Sequence, residues 1–597
     1  MSDPDLPGTI STTRAKVGVR EANAASEDLH ALDHQVYAQL QLPRDEAAKK
    51  LLESIYSIAM RTLFRIASVS LLITAHAAGA AADTYPRQPG VDAVHYVFRL
   101  RLGDGSNEIA GEATATVRIT APGVQALYLD LTSPQEGKGM TVSGVTVAGK
   151  PVQHSHERNR LRIPLASPVP GSEVAVSVTY SGIPAGGLRL IDNIHGARSM
   201  FSENWPNNAR HWLPAIDHPY DKATGEFIVT APSYYQVVAN GLLVSEIDRP
   251  DGERTTHWRQ SVPIASWLFA LGVARFSVHH YAVVRGIPQQ VWSFPEDRET
   301  ASGVFEFTGR RAFEFFSDWI GPYPYEKLAH VQAAGLGGGT EHASAIFYGE
   351  NGVAAGRAPV VHEVAHQWWG NAVTERDWDD VWLSEGFATY FTHLFTEQFS
   401  GREAFVRGLR NDVNTILQAQ LKLPEQAVIH RNIDDMRGVL NRFVYQKGGW
   451  VLHMLRGTIG TDAFWEGIRE YYRRHRDSTA STSDLRQVME RVSGMDLRWF
   501  FDQWLTRPGM PKLAGTWGYD RAAGRIDVEI AQTQSGAPYR LPLDVGVSLA
   551  TGASRAHRVE MTGARGTFTI PVEAEPASVS LDPNTWLLLE SAELKRR

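Results

Sequence analysis

Alternating apolar and polar positions dominate the first half of the sequence. The apolar members of this alternation fall at Val94, Tyr96, Phe98, Leu100 and Leu102, then at Leu127, Leu129 and Leu131, and later at Val174, Val176 and Val178. A period of two is typical of strands with one buried face, and clusters of Gly, Pro, Asp and Ser separate the runs as turns. The pattern predicts a large antiparallel β domain over residues 83–278.

The pattern changes after residue 279. Apolar positions recur at helical spacing ahead of Gly321-Pro322, at Phe305, Ala312, Phe313 and Phe316. Most of 357–505 then favours helices interrupted by Gly, Pro and Asn, which predicts a mainly helical domain over residues 279–509. Alternation returns beyond Pro511 and predicts a small C-terminal β-sandwich over residues 510–597. The predicted fold class is therefore multidomain α+β.

Residues 60–82 carry a different signal. Met60 begins a short region with Arg61 and Arg65, and an apolar run and small residues follow it. This layout is typical of a signal peptide, and the apolar run of about ten residues is half the length of a membrane span. A buried or interfacial helix is the alternative. We expect natural synthesis to start at Met60, residues 1–59 to be an over-called upstream extension or leader, and the mature chain to be exported without a membrane span, to a bacterial periplasm or the medium.

Composition narrows the class of protein. The chain has 597 residues, of which 43% are hydrophobic and 21% charged, and its net charge is -7. It has no run of Lys and Arg of the kind that binds nucleic acid, so nucleic acid is not an expected partner. The absence of cysteine excludes disulfides and thiolate ligands, so a bound metal must rely on His and carboxylate side chains.

Residues 359–390 contain the strongest chemical pattern, His362-Glu363-x-x-His366. Two histidines four apart on a helix point the same way, so one metal ion can bind both, with Glu363 beside the remaining position. Glu385 follows on a second predicted helix, after a Gly-Asn break at Gly370 and Asn371, and can supply a third ligand. Two histidines and one carboxylate, with a fourth position open, are typical of a catalytic zinc site. An HExxH pattern also occurs as an ordinary helix face, but Glu385 on the next helix favours metal binding.

The sequence HEVAHQWWGN followed by WLSEGFATY resembles the M1 family of zinc aminopeptidases, the gluzincins related to aminopeptidase N. Other segments that resemble the family are Asp217-His218-Pro219, residues 321–328 (GPYPYEKL), residues 445–448 (YQKG) and Leu581-Asp582-Pro583. The resemblance extends from about residue 85 to residue 597. It implies a thermolysin-like catalytic domain over 279–509 and one zinc ion per chain. It also implies a short form of the family, without the large C-terminal helical domain of many relatives.

The resemblance implies further roles. Residues 338–342 (GGTEH) occupy the position of the family's Gly-x-Met-Glu-Asn exopeptidase motif. This makes Glu341 the group that pairs with a free N-terminal ammonium, with Gly338, Gly339 and His342 beside it as substrate-binding residues. Thr340 and His342 depart from the usual Met and Asn. Judged from residue types alone, the Gly-rich run is also compatible with a flexible surface loop.

Tyr445 matches the family's transition-state tyrosine, whose phenol can donate a hydrogen bond to an oxyanion. A second amine-binding residue is expected from the β domain, among Glu203, Asn204 and Trp205, ahead of Arg210.

The sequence thus predicts a zinc aminopeptidase that removes N-terminal residues from peptides with a free N-terminus, with Glu363 as general base. A zinc endopeptidase or another zinc hydrolase on the same fold is the alternative within enzymes, since a fold does not determine the substrate. A non-catalytic peptide-binding protein is the third possibility, and the complete set of predicted site residues argues against it.

Overall fold

The structure, a computed structural model, describes residues 83–597 except residues 432 and 434. The predicted extension over 1–59 and the predicted signal peptide over 60–82 lie outside the described residues. Among the helices of the described chain, none combines the length and the apolar character that crossing a bilayer requires.

The first region is built from strands in three sheets, as the alternating pattern predicts. The strands are β1 (Val91–Arg101), β2 (Ile109–Ile119), β3 (Ala126–Asp130), β4 (Gly139–Val147), β5 (Lys150–Pro151), β6 (Ser155–Glu157), β7 (Arg160–Pro164), β8 (Glu173–Ile183), β9 (Leu188–Asp192), β10 (Arg198–Ser202), β11 (Lys222–Pro232), β12 (Gln236–Ala239), β13 (Leu242–Asp248), β14 (Glu253–Ala265) and β15 (Leu271–Ala274). The sheet orders are β13-β14-β11-β1-β2-β8-β4-β5, β12-β15-β10-β9 and β3-β7-β6.

Burial in these strands follows the predicted period of two. In β11 every second residue is buried. Of the predicted inward positions of β1, Tyr96, Phe98 and Leu100 are almost fully buried, whereas Val94, at a register shift between Ala93 and His95, is only partly buried. Most neighbours in the large sheet are antiparallel, but β1 and β11 pair in parallel, with Phe98 opposite Phe227. This exception to the predicted antiparallel domain places two long strands side by side at the middle of the sheet.

The second region combines helices with one sheet. Its elements are β16 (Ser277–Val284), β17 (Ile287–Ser293), α1 (Arg298–Trp319), β18 (Leu328–Ala333), β19 (Gly339–Thr340), β20 (Ala345–Gly349), α2 (Glu350–Ala354), α3 (Val360–His366), β21 (Val373–Glu375), α4 (Trp382–Lys422, interrupted at Gly401), a π-helix (Phe443–Lys447), α5 (Gly448–Ile459), α6 (Thr461–His475), β22 (Ser478–Ala480), α7 (Thr482–Ser493) and α8 (Arg498–Thr506).

The sheet of this region has the order β16-β17-β18-β20-β19. Sequence analysis did not predict it, because β18 and β20 are buried at every position and show no alternation. Its short edge strand β19 pairs antiparallel with β20. Glu341 comes directly after β19, so the sheet edge determines where this carboxylate lies.

The third region is the predicted C-terminal β-sandwich. Its strands are β23 (Lys512–Asp520), β24 (Arg525–Gln532), β25 (Leu541–Leu549), β26 (Ser554–Met561), β27 (Arg565–Pro571), β28 (Pro576–Leu581) and β29 (Ser591–Arg596). They form two sheets with the orders β27-β24-β23-β29 and β26-β25-β28. The alternating apolar residues Ile526, Val528 and Ile530 of β24 are buried. The described chain therefore has the predicted α+β architecture.

One lysine connects the first region to the second at the turn that follows helix α3. Lys222, the first residue of β11, donates hydrogen bonds from Nζ to the backbone oxygens of Asn371 (2.9 Å), Ala372 (3.1 Å) and Ser478 (3.3 Å). Burial lowers the pKa of Lys222 to about 7. An uncompensated buried carbonyl costs about 1–3 kcal/mol, so this single side chain stabilises a turn that otherwise leaves several acceptors without a donor.

Asp221, the residue before this lysine, is a buried carboxyl group, and one of its oxygens accepts a hydrogen bond from the backbone N–H of Ala93 at 3.2 Å. Burial raises its pKa to about 8, whereas an unfolded aspartate titrates near 3.9. The native state therefore retains a proton that the unfolded state releases between these two values. Its contribution to stability is present below about pH 4 and is lost as the pH rises toward 8.

We predict that Asp221→Asn raises the free energy of unfolding near pH 8 by about 1–3 kcal/mol, because the amide keeps the acceptor for Ala93 and cannot ionise. The gain should shrink toward pH 4, where the wild-type carboxyl is protonated in both states. Chemical denaturation of both proteins at several pH values measures the difference. A gain that does not depend on pH would contradict the assignment.

Candidate metal and substrate site

Helices α3 and α4 bring the three predicted metal ligands together. His362 and His366 lie one turn apart on α3, and Glu385 lies in the first turn of α4. The two Nε2 atoms are 3.1 Å apart, and Oε2 of Glu385 lies 3.4 Å from Nε2 of His362 and 3.3 Å from Nε2 of His366. Three ligand atoms from separate positions of the chain thus face one point.

These distances fit a tetrahedral zinc ion. Zinc binds histidine nitrogen and carboxylate oxygen at about 2.0–2.1 Å, and two tetrahedral ligands at that radius lie about 3.3 Å from each other. Oε2 of Glu385 is also buried and receives no well-oriented hydrogen bond from any residue that the structure describes. A buried carboxylate oxygen without a donor is costly, and a cation at this point would stabilise it.

The second ring nitrogen of His366 has its own partners. Its Nδ1 lies 3.1 Å from the backbone oxygen of Trp369 and 3.2 Å from Oγ of Ser384. A hydrogen bond from Nδ1–H to a carbonyl leaves the Nε2 lone pair free for a metal. The close approach of Ser384 requires glycine at position 370, where φ is +94° and a Cβ atom would lie 2.1 Å from Oγ. The Gly-Asn break predicted after the first helix therefore serves to orient a ligand.

Three carboxylates crowd around this histidine pair. Burial raises the pKa of Glu363 well above its usual value, and the charge of Glu341 raises it further. Burial alone would lower the pKa of His366, but Glu341 and Glu385 outweigh that effect and raise it to about 10. Excess negative charge in a buried volume favours a positive charge at its centre, which a metal ion can supply.

Glu363 packs against the Gly-rich strand. A Cβ atom added to Gly339 would lie 2.4 Å from Oε1 and 2.6 Å from Cγ of Glu363, so only glycine leaves room for this carboxylate. By contrast, a Cβ atom added to Gly337 would meet nothing within 4 Å. Gly338, with φ of +121°, is exposed and accepts a hydrogen bond from the N–H of Gly349. The strand edge is thus an ordered wall of the site and not a flexible surface loop.

Glu341 is buried at 4% exposure next to this wall. Its Oε1 accepts a hydrogen bond from Nε1 of Trp205 at 2.9 Å and lies 4.0 Å from Nδ1 of His366. Its backbone oxygen accepts hydrogen bonds from the side-chain amides of Gln367 (3.0 Å) and Asn371 (2.6 Å). These two amides belong to the HQWWGN segment, so the segment that carries the metal ligands also fixes Glu341.

The three candidates for the second amine-binding residue have different contacts in the structure. Glu203 is half-exposed and pairs with Arg189. Asn204 is buried, donates to the backbone oxygen of Phe269 and accepts from Trp212. Trp205 is the one whose side chain reaches Glu341.

His342 points into the packing next to Glu341. It is buried, its ring lies 4.9 Å from that of Phe347, and its Nε2 is 3.4 Å from the backbone oxygen of Ser202. Burial lowers its pKa to about 4, which keeps the ring neutral. Its role in substrate binding stays a prediction.

Tyr445 lies on the other flank of the ligand set, in the π-helix. Its O–H donates a hydrogen bond to Oε1 of Glu385 at 2.9 Å, and its ring stacks on that of His362 with centroids 6.0 Å apart. Burial raises the pKa of this phenol well above 10, and Glu385 adds to the effect. The group therefore stays protonated and remains a hydrogen-bond donor at the metal site.

Several supporting residues escaped sequence analysis. Gln367 and Asn371 lie in the same sequence segment as the two histidine ligands, and this proximity in sequence could have indicated that their amides support the site. Trp378, whose ring lies 4.8 Å from that of Trp205, and Lys222 carry no local signal, because each acts through a contact distant in sequence.

A second arrangement of ligands also has atoms close together, formed by Glu341, Glu363 and His366. Within this group, Oε1 of Glu341 approaches His366 at Nδ1, which the backbone oxygen of Trp369 and Oγ of Ser384 already contact. The set of His362, His366 and Glu385 is therefore the better metal site.

Comparisons with known proteins agree with this geometry. The family model for the peptidase M1 N-terminal domain matches residues 93–268, and the model for the peptidase family M1 domain matches residues 307–504. Bovine (Bos taurus) glutamyl aminopeptidase is 27% identical over 52% of this chain and 34% of its own length. Aminopeptidase N of Streptomyces lividans is 28% identical over 67% of this chain and 48% of its own length. The chain thus spans about a third to a half of these relatives.

Solved structures give the same result. The M1 zinc metallopeptidase of Deinococcus radiodurans matches with a TM-score of 0.61 and 25% identity, over 71% of this chain and 95% of its own. Aminopeptidase A of Legionella pneumophila, solved with aspartic acid, matches with a TM-score of 0.73 over 85% of this chain and 60% of its own. At 18% identity this second match shows the fold alone. Since the two family models together match more than half of the sequence, the chain belongs to peptidase family M1.

Proposed function

We propose that this protein is a zinc-dependent aminopeptidase that hydrolyses the first peptide bond of substrates with a free N-terminus, with one zinc ion per chain. The observation that carries the proposal is that five side chains converge in one site. Three of them, His362, His366 and Glu385, form the ligand set, and the buried carboxylates of Glu363 and Glu341 lie beside it. Each group has a chemical task in amide hydrolysis.

The metal site would be held by His362, His366 and Glu385. When bound, zinc supplies a Lewis acid that polarises a carbonyl and acidifies water. Glu363 accepts the proton of the attacking water and delivers it to the departing amine. Burial raises the pKa of Glu363 above its usual value, which makes its carboxylate a stronger base than an exposed glutamate.

Glu341 and Tyr445 align the substrate on opposite flanks of the histidines. The Glu341 carboxylate pairs with the substrate ammonium and so limits cleavage to the first residue. The N–H of Trp205 holds Oε1 of Glu341 in place, and the other oxygen can face the ammonium. The O–H of Tyr445, now donated to Glu385, can turn to the oxyanion that forms on attack.

We further propose that the protein is exported. The support is the basic, apolar and small-residue pattern over residues 60–82, with the order of a secretory signal peptide.

The function is tested with matched peptides. The zinc-loaded protein should release the first residue of a peptide with a free N-terminus and should hydrolyse the N-acetylated peptide at least about 100-fold more slowly. The reason is that acetylation removes the ammonium group, and a lost buried ion pair costs about 3 kcal/mol or more. A chelator should abolish turnover, and added zinc should restore it. Equal cleavage of both peptides would exclude the aminopeptidase and favour an endopeptidase.

Glu363→Gln should lower kcat by about 10²–10⁴, the usual contribution of a general base, while zinc stays bound because all three ligands remain. Steady-state kinetics and elemental analysis of the same sample measure the two quantities. Glu385→Gln provides the contrast, and we expect it to lose zinc together with activity. A Glu363→Gln protein with normal turnover would refute the assigned role.

Gly339→Ala should reduce kcat/KM by about 100-fold, because the new Cβ atom must displace the Glu363 carboxylate, and misplacement by about 1 Å can have an effect of this size. Gly337→Ala is the matched control and should retain full turnover. Thermal unfolding and zinc content should be unchanged in both variants. Equal activity of the two variants would show that Glu363 does not depend on this wall.

A further inference from the structure

A cavity of about 730 Å³ adjoins the metal site on the far side of Tyr445. One of its walls is the C-terminal part of α4, from Asn414 to Lys422, and the other is the segment from Leu440 to Tyr445 that leads into the π-helix. Tyr445 belongs to both spaces, since it lines the cavity and its O–H contacts Glu385. The cavity and the ligand set therefore share one side chain, that of Tyr445.

Two cationic side chains line the cavity. Lys422 is the last residue of α4, and Arg442 lies three residues before Tyr445. Both side chains are exposed, and neither forms an ion pair or a hydrogen bond with a residue in the described part of the chain. Two other arginines of the catalytic region have carboxylate partners, since Arg437 pairs with Asp435 and Arg402 with Glu397.

The remaining lining is neutral. Among the described residues, the cavity wall includes the polar side chains of Asn414, Thr415 and Gln418 but no acidic group. Two positive charges in a concave surface, without a counter-charge among the residues that the structure describes, create a potential that attracts anions. Arg442 also offers a planar donor pair that matches a carboxylate.

The position of the cavity relates it to the substrate. Glu341, the proposed ammonium partner, lies beside His366, whereas Tyr445 lies beside His362. A substrate whose ammonium reaches Glu341 and whose scissile carbonyl lies over the ligand set therefore has another part available for the space beyond Tyr445.

We propose that Arg442 and Lys422 form a carboxylate-binding subsite that selects acidic substrates for the aminopeptidase. This inference rests on the proposed function. The carboxylate has two possible sources, the side chain of an acidic N-terminal residue or the C-terminal carboxylate of a short peptide. Both present the same group, and they differ in which part of the substrate extends past Tyr445, the side chain of the first residue or the C-terminus.

The experiment compares two substrate pairs in which only a carboxylate is changed. The first pair is Glu-p-nitroanilide and Gln-p-nitroanilide, and the second is Leu-Gly-Gly and its C-terminal amide. Leu-p-nitroanilide, which has no carboxylate, serves as reference. The proteins are the wild type, Arg442→Gln, Lys422→Gln and the double variant. Arg407→Gln is the control, because Arg407 is an exposed arginine on α4 outside the cavity lining.

We expect the wild type to favour the acidic member of one pair, and the pair affected identifies the source of the carboxylate. Each single variant should lower kcat/KM for that member about tenfold, the effect of losing one charge-assisted hydrogen bond. The neutral member and the reference should change less than about twofold, the range expected when no direct contact is lost. Arg407→Gln should behave as the wild type. Added salt should weaken the preference.

The subsite is overturned if neither pair shows a preference, or if the preference survives in the double variant. Failure of the proposed function looks different, since the wild type then hydrolyses none of the five substrates. Calorimetric binding of both pairs to the zinc-loaded Glu363→Gln protein, with and without the double substitution, tests the subsite without turnover. The subsite is also overturned if the Glu363→Gln protein without the double substitution binds the acidic and the neutral member of both pairs with equal affinity.

Discussion

The site depends on one electrostatic constraint, the burial of three carboxylates around a single histidine pair. Glu341, Glu363 and Glu385 are each at most 5% exposed, and such a group is stable only if positive charge or hydrogen-bond donors compensate it. Much of the surrounding structure supplies this compensation. Trp205 donates to Glu341, Tyr445 donates to Glu385, and the two imidazoles face an oxygen of Glu385. A divalent cation held by His362, His366 and Glu385 would complete the balance.

The parts of the fold that sequence analysis predicted are those whose signal is local. The period of two in the β regions reflects one buried face, and burial in β11 and β24 follows it. The four-residue spacing of His362 and His366 determines that both point to one side of α3, whatever the surroundings. Placing Glu385 required only the prediction that a second helix follows the break at Gly370.

The parts that were missed depend on contacts between distant segments. Strands β18 and β20 are covered on both faces, so their sequences show no alternation that distinguishes them from buried helix. Trp205 reaches Glu341 across 136 positions of the chain. The free charges of Arg442 and Lys422 become notable only when the folded chain places them in one cavity, because single cations on a surface are ordinary. Tyr445 was found through family resemblance, since residue type alone does not distinguish one tyrosine among 19.

The contact of Lys222 with the turn after α3 has a consequence for domain exchange. The lysine belongs to the region matched by the N-terminal family model, and its carbonyl partners at Asn371 and Ala372 belong to the region matched by the peptidase model. Asn371 in turn donates a hydrogen bond to the backbone oxygen of Glu341. The β region is therefore linked to the site through one buried ammonium group. A β domain grafted in its place would leave these carbonyls without their donor unless it carried one at the same point.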